Sequence, residues 1–441
     1  MVDKMLRNQF DAIFPEIENQ CLDLFISSKY VDLLNLIQST ILNTFRSNIY
    51  HNKALFVNKF DDILINLGFQ LENEMSAFKS WNPNNLNIII GTEYYAVGGH
   101  TRVAQEFSKI EENTLIVITD AYGRTSHDVN YYRFFQDLFE NNSVILLPPG
   151  NLLEKIIFLK KLINCMKPKT AVLLTHHDDP IGVTALCGSA INKKIFHHHC
   201  DHNISLGATI KEFYHYDTTP FGKAICSNKT NAKYLPLSYS NNYYESPHLV
   251  LAENFNSICA ASSVKFNLTV PSRNDFYPKI VGYILNTTSG CHYHIGVLTE
   301  EELVKIKIYL SSLGIKSDRF IYLGQVKSLV EIIHNIKNPV YFVSFPTPGI
   351  LAWIEVMSTG IPVFVFSNTT GELSNEGLIT DKSFDSLIAE NAFKFTDQDS
   401  IKEYFGIVKE NYVEIINRNK KYFNENHSTT AVEQIMKQII I

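Results

Sequence analysis

Two short segments hold six of the chain's 15 histidines: His176-His177-Asp178-Asp179 and His197-His198-His199-Cys200-Asp201-His202. Imidazole beside carboxylate is the pairing of a general base that takes a hydroxyl proton, and also that of a divalent-metal site. Along a strand alternate side chains point to opposite faces, so His197 and His199 share one face and His198 takes the other. In doubly wound sheets the residues just past the strand ends line the ligand crevice. His177, Asp178, Asp201 and His202 stand there, and His177, Asp201 and His202 are the candidate catalytic groups. Two alternatives stay open, structural histidines bonded to backbone and a metal site built from the same clusters.

Glycine marks the other places where chemistry is expected. Gly98-Gly99-His100-Thr101-Arg102 follows an apolar strand and opens a helix. Two glycines let a backbone approach a ligand closely, and a helix N-terminus favours negative charge, so Gly98, Gly99, His100 and Arg102 form a candidate acceptor or phosphate loop. The segment lacks the GxGxxG fingerprint of dinucleotide binding. Between Asn286 and Gly296 the run NTTSGCHYHIG reads as a loop whose hydroxyl, glycine and imidazole groups suit phosphate oxygens, with His292, His294 and Gly296 as candidates. From Tyr341 to Phe366 the sequence reads as a buried strand, a tight loop ending at Gly349, a short helix and a second buried strand. N–H groups near Gly349 stand at a helix N-terminus, where an anion can be held. Glu355 lies about two turns into that helix and interrupts an apolar stripe.

The elements that must position these groups follow from periodicity. Residues 1–82 carry apolar side chains at helical spacing (Phe10, Ile13, Phe14, Ile17; Leu33, Leu34, Ile37) and predict three or four helices, a cap or acceptor-docking extension. From Leu86 onward short strands alternate with helices: strands at 86–90, 114–120, 143–149, 170–179, 193–202 and 223–228, and a helix at 151–166. A second series is expected from 279, with strands at 279–285, 320–324 and around 341–345 and 362–366, and helices at 299–313 and 327–336. Residues 255–276 read as the connection, and those after 400 as C-terminal helices. Alternation of this kind predicts two doubly wound, mostly parallel sheets. The expected domains are a helical extension at 1–82, a first Rossmann-like domain at 83–265 and a second at 266–441.

At 441 residues, 45% hydrophobic and 19% charged, the chain fits a globular protein of two or three domains. A net charge of −6 gives no general attraction to nucleic acid or anionic lipid. The seven cysteines are scattered with no CxxC pair, so neither a disulfide framework nor a thiolate zinc site is signalled. The N-terminus has no signal-peptide core, and no apolar run approaches the roughly 18 residues of a spanning helix. The expectation is a cytoplasmic protein with no transmembrane segment, peripheral membrane association being left open.

The strand–loop–helix at Tyr341–Phe366, with the partner series before it, resembles the nucleotide-sugar site of GT-B fold glycosyltransferases. The resemblance implies an α/β fold of two Rossmann-like domains facing a cleft, with a helical N-terminal extension. It implies a transferase that takes a sugar from a nucleotide-sugar, expected to be a UDP-sugar, to a glycan or protein acceptor. No cofactor or metal is implied, the nucleotide-sugar being a co-substrate. Thr347, Pro348 and Gly349 would meet the donor phosphates together with the His292–Gly296 loop. The run Tyr322-Leu323-Gly324-Gln325-Val326 is similar to the loop that holds the base through backbone contacts, making Gly324 and Val326 donor residues. Glu355 matches the second carboxylate of the Glu-x7-Glu pattern of retaining enzymes, which binds ribose. Thr347 stands where the first would be. Thr347, Gly349 and Ile350 resemble instead the O-GlcNAc transferase and bacterial protein N-glucosyltransferase branch, which inverts. Competing readings are a metal-dependent hydrolase using the His/Asp clusters, a non-catalytic binding protein of the same fold, and a sugar epimerase.

Overall fold

The computed structural model describes residues 2–47, 54–74, 85–95, 99–110, 113–125, 129–140, 142–199, 203–240, 254–262, 266, 275–345, 348–366 and 392–440. The chain divides into two compact units, Met1–Leu235 with Ile435–Ile441, and Pro236–Gln434.

The first unit opens with helices α1 (Val2–Ile26), α2 (Tyr30–Ser47) and α3 (Asn58–Glu74). There follow β1 (Asn87–Gly91), α4 (Gly99–Ile110), β2 (Thr114–Ile118), α5 (Val129–Leu138), β3 (Ser143–Leu146), α6 (Leu152–Met166), β4 (Thr170–Leu174), α7 (Pro180–Leu186), β5 (Lys193–His198), β6 (Tyr214–Asp217), α8 (Pro220–Cys226) and β7 (Lys233–Tyr234). The strands form a parallel sheet of order β3-β2-β1-β4-β5-β6-β7. The order reverses direction between β1 and β4, which makes that pair the topological switch point. All five residues of β1, β2 and β4 are buried, the continuous apolar pattern of strands covered on both faces.

The helical extension shares the core of this sheet. Leu33, Leu34, Ile37 and Phe60 belong to one buried cluster with Ile88, Ile90, Leu173 and Phe196. At Gly68, α3 lies close against the end of α7, and a Cβ there would lie 2.6 Å from the Cβ of Cys187 and 2.7 Å from the Thr184 carbonyl oxygen. Alanine in a helix gains about 1 kcal/mol over glycine, whereas overpacking against backbone costs roughly 1–3 kcal/mol. Gly68→Ala is therefore expected to lower the denaturant midpoint; an increase would mean that α3 does not press on the Thr184–Cys187 turn.

The second unit contains β8 (Asn256–Ala260), α9 (Phe276–Thr287), β9 (His292–Ile295), α10 (Glu300–Ser312), β10 (Phe320–Gly324), α11 (Leu329–His334), β11 (Pro339–Phe342), α12 (Ile350–Met357), β12 (Val363–Phe366), β13 (Phe393–Phe395) and the long α13 (Gln398–Asn426). A last helix, α14 (Thr429–Ile440), ends the described chain. Its parallel sheet has the order β10-β9-β8-β11-β12-β13, with the switch point between β8 and β11. Two doubly wound sheets are the GT-B architecture that the sequence led us to expect.

Several expectations are corrected in detail. Residues 223–228 are not a strand: Pro220 opens α8, and the Thr219 hydroxyl accepts from the Gly222 N–H at 2.9 Å. Proline at the first helical position behind a threonine cap specifies a helix start, and the strand of this region is β6. Residues 279–285 are likewise helical, in α9, where Tyr277, Ile280, Val281, Ile284 and Leu285 form one buried face. The first strand of the second sheet is β8, inside the stretch expected to be a connection. The junction between the units therefore falls at Leu235/Pro236 rather than at 265/266. No helix among the described residues is long and apolar enough to cross a membrane.

Candidate functional site

In the first unit, polar side chains gather at the carboxyl ends of β1, β2 and β4. Asp179 organises them. Its Oδ1 caps α7 by accepting from the Ile181 N–H at 2.8 Å. Its Oδ2 accepts from Thr92 Oγ1 at 2.7 Å and Thr119 Oγ1 at 2.5 Å. Thr92 in turn accepts from the His176 N–H at 2.8 Å, which locks the start of the His-His-Asp-Asp turn onto the end of β1. Burial pushes the Asp179 carboxyl up to about 6.

The neighbours of that turn separate by role. His177, a candidate base, is 6% exposed and packs on Phe45 of α2, with ring centroids 4.5 Å apart. Its placement is that of a core imidazole, and burial holds it down at about 4. Asp201 and His202, the other two candidates, and Gly98 lie outside the described residues. His176 is only half-buried. Its Nδ1 is 3.2 Å from the Tyr122 hydroxyl, which donates to Asp178 Oδ1 at 2.7 Å. His100, on the first turn of α4, stacks toward both His176 (4.8 Å) and His199 (3.7 Å). Burial pushes His176 down to about 4 and His100 well below its ordinary value, with repulsion from His199 adding to the latter. At neutral pH these rings are therefore uncharged, the form in which an imidazole accepts a proton. Gly99 opens α4 as expected, with Arg102 on its first turns.

Further residues, none singled out in the sequence, complete the group. Glu93 is 4% exposed, accepts from the Tyr95 hydroxyl at 2.5 Å and pairs with Arg124 at 3.5 Å. The Arg124 guanidinium lies 4.4 Å above the Tyr122 ring. Its loop is held by Asp120, which accepts from the Arg124 and Thr125 N–H groups at 2.9 and 3.1 Å. Glu93 and Tyr122 each stand just past a strand's carboxyl end, and that position is the signal that could have found them.

In the second unit the switch point lies between β8 and β11. Gly349 caps α12 there, and its N–H donates to Ser344 Oγ at 2.8 Å. A Cβ at Gly349 would meet only ordinary contacts, Ala260 O and Ser344 Oγ at 3.6 Å. Beyond it the first-turn N–H groups of α12 have no intrahelical acceptor, as at every helix start. Pro348 is buried beside it, and Thr347 lies outside the described residues. Glu355, 5% exposed, accepts through Oε1 from the Leu329 N–H at 2.9 Å and from the Tyr239 hydroxyl at 3.3 Å. Gly296 and Gly324 join the ends of β9 and β10, the N–H of the first donating to the carbonyl of the second at 2.8 Å. Both are in left-handed backbone, at φ 121° and 65°. A Cβ at Gly296 would fall 2.2 Å from the Ala261 carbonyl oxygen, so glycine there is a packing requirement. Val326 follows, half-buried, ahead of α11.

His292 and His294 differ from the expected phosphate loop. They lie within β9, 1% and 0% exposed, on the face covered by α9. His292 bonds Ser257 Oγ (2.8 Å) and the Tyr277 hydroxyl (3.1 Å), and His294 Nδ1 bonds the same hydroxyl (2.5 Å). Period-two alternation puts both rings in the core. They brace β8, β9 and α9 instead of meeting solvent.

Comparison with solved structures finds the same fold. HepE of Anabaena, solved with UDP, superposes at a TM-score of 0.58 and 11% identity, over 80% of this chain and 98% of that one. Further HepE structures hold UDP with glucose, or UDP-glucose. A mutant O-GlcNAc transferase of Thermobaculum terrenum superposes at 0.52 and 10% identity, over 96% of this chain and 83% of that one. A glycosyltransferase from Rickettsia africae does so at 0.56 and 9% identity, over 81% and 99%. No protein-family model and no curated protein matches the sequence.

Proposed function

We propose that this chain is a glycosyltransferase that takes a sugar from a UDP-sugar and passes it, with inversion, to a glycan or protein acceptor, with no cation at the donor diphosphate. The observation that carries the reading is Gly349: an open glycine that starts α12 at the switch point of the second sheet. Fixed N–H donors there would stabilise charge developing on the departing diphosphate, the task a metal ion performs elsewhere. Glu355, on the same helix, would hold the ribose, and the Gly324–Val326 turn the base. The UDP complexes of HepE support this assignment by likeness of fold.

On the acceptor side the half-buried His176 is the base we assign, with Tyr122 and Asp178 orienting its ring. Asp201 and His202 remain further candidates. An uncharged imidazole that takes a hydroxyl proton as the glycosidic bond forms is the role its surroundings suit.

UDP at 100 times its Kd stabilises a folded protein by about 2.7 kcal/mol. The melting temperature is thus expected to rise with UDP in the absence of added metal. Two variants separate binding from folding. Gly349→Ala meets no clash and no left-handed backbone, so it should keep the melting temperature of the free protein and lose most of the UDP shift. Glu355→Ala should lose the shift as well, together with some stability from the freed Leu329 N–H. Release of free UDP from a panel of UDP-sugars then tests turnover. No shift with any nucleotide would sink the proposal.

A further inference from the structure

Away from the switch point, β5, β6 and α8 bring four side chains to one spot. His198, His215, Asp217 and Cys226 are all buried, and one ligand atom of each lies within 4.8 Å of the others. The sheet register explains the convergence. His198 pairs with Asp217 across β5 and β6, and His215 stands two residues before Asp217 on the same face. Cys226, the last residue of α8, closes the group from the helix that covers this face.

His198 Nδ1 lies 2.8 Å from Asp217 Oδ1, and the rest of the cluster's donor and acceptor inventory does not close on itself. His215 Nδ1 lies 3.1 Å from the Ala208 carbonyl, an acceptor only, so this nitrogen carries the ring proton. The other nitrogen, Nε2, then presents a lone pair, and it faces Asp217 Oδ2 at 3.2 Å. Apart from each other, neither atom has a hydrogen-bond partner among the described residues. Two lone pairs directed at one point inside a core call for a cation between them. An imidazole whose far N–H is held by a backbone carbonyl is also the usual setting of a metal-ligating histidine.

Two of the separations are close to those of a four-coordinate ion. Metal–ligand bonds of ~2.0–2.3 Å at tetrahedral angles set ligand atoms roughly 3.3–3.6 Å apart. The Cys226 Sγ–His198 Nδ1 separation is 3.6 Å, and the His215–Asp217 separation 3.2 Å. We propose that His198, His215, Asp217 and Cys226 bind one zinc ion that ties β5, β6 and α8 together. Two imidazoles, one carboxylate and one thiolate suit zinc over the hard cations calcium and magnesium. Four protein ligands leave no open position, so the site is structural and takes no part in sugar transfer. It is independent of the donor reading, and it rests on Cys226, His215 and Asp217, which the sequence did not single out beside His198.

The test uses the full chain, incubated with zinc chloride and dialysed, with metal counted by elemental analysis. About one zinc per chain is expected, falling to about a tenth or less in Cys226→Ser and His215→Ala. Because either variant could fold poorly, the wild-type chain carries two further readouts. A chelator should lower its melting temperature reversibly, with recovery on adding zinc chloride. Cobalt loading should give thiolate-to-metal charge transfer together with the visible bands of a four-coordinate ion. A wild-type chain that holds no zinc and melts alike with and without chelator overturns the proposal, leaving a proton-linked His–Asp–His cluster. Zinc that stays bound in both variants overturns it too, by placing the metal elsewhere.

Discussion

Acidification from pH 7 to pH 5 is expected to destabilise the second unit by on the order of 4 kcal/mol through His292 and His294. Both rings are buried, and burial holds each down at about 3. They lie among Ser257, Tyr277, Phe266 and Phe320, and among the described residues no carboxylate contacts them to favour an imidazolium. In the unfolded chain an imidazole titrates near ~6.5. At pH 5 the unfolded state therefore binds two protons that the folded state refuses, worth about 2 kcal/mol for each ring. The contribution is fully present above ~6.5 and is lost as pH falls from there toward 3. In the first unit Asp61 and Asp179, both pushed up to about 6 by burial, act in the opposite sense. Their burial penalty is relieved as they take up protons below 6, which offsets part of the cost of His176 and His177 there. Trp353, 1% exposed in α12, lets fluorescence follow the second unit in a Trp81→Phe background. The urea midpoint should fall steeply between pH 6.5 and pH 5, and His294→Gln should remove about half of that slope. A wild-type midpoint that is flat across this window would refute the assignment of uncharged core imidazoles.

These two histidines also show how far the sequence could be read. The sheets were legible because their strands are continuous apolar runs, such as Ile88 to Ile90 and Val340 to Phe342, that only a covered parallel sheet accommodates. The run from Lys279 to Leu285 is apolar at helical and at strand spacing alike, and its reading as a strand displaced everything around it. With α9 taken for the first strand, β8 became linker and β9 became a loop, and His292 and His294 acquired a role in phosphate binding that their burial contradicts. Gly349 and Glu355 escaped the error because the strand–turn–helix containing them is local in sequence. The first unit's polar group is not local. Glu93, Tyr122 and His176 meet only because β1 lies between β2 and β4, and the partners of His198 are identified only by the register of β5 on β6. Side chains brought together by pairing of distant strands leave no spacing in the sequence to find.

The same lesson applies to the helical extension, whose expected part as a separate cap is answered by one buried carboxylate. Asp61, on the first turn of α3 and 1% exposed, accepts from the Gly207 N–H at 2.7 Å, the Thr209 N–H at 2.9 Å and the Thr209 hydroxyl at 2.7 Å. It thereby fixes the chain beyond β5 to the extension. Burial raises its carboxyl from 3.8 to about 6, so holding the charge at pH 7.5 costs roughly 3 kcal/mol. Against this, Asp61→Ala leaves the buried Gly207 N–H and the two half-buried donors of Thr209 without an acceptor, at about 2 kcal/mol each. The donors win, and the variant is expected to lose roughly 3 kcal/mol. Asp61→Asn gives up the charge and its penalty but turns an NH2 group toward donors, so it should lose about half as much and be less sensitive to pH between 5 and 7. Urea unfolding of the three proteins at pH 7.5 decides the matter. A loss under about 1 kcal/mol for Asp61→Ala would mean that water replaces the carboxylate and that the extension is held by its apolar face alone. A loss near the expected value makes residues 58–74 part of the first unit's fold, so that truncating them would unfold the sheet that carries His176.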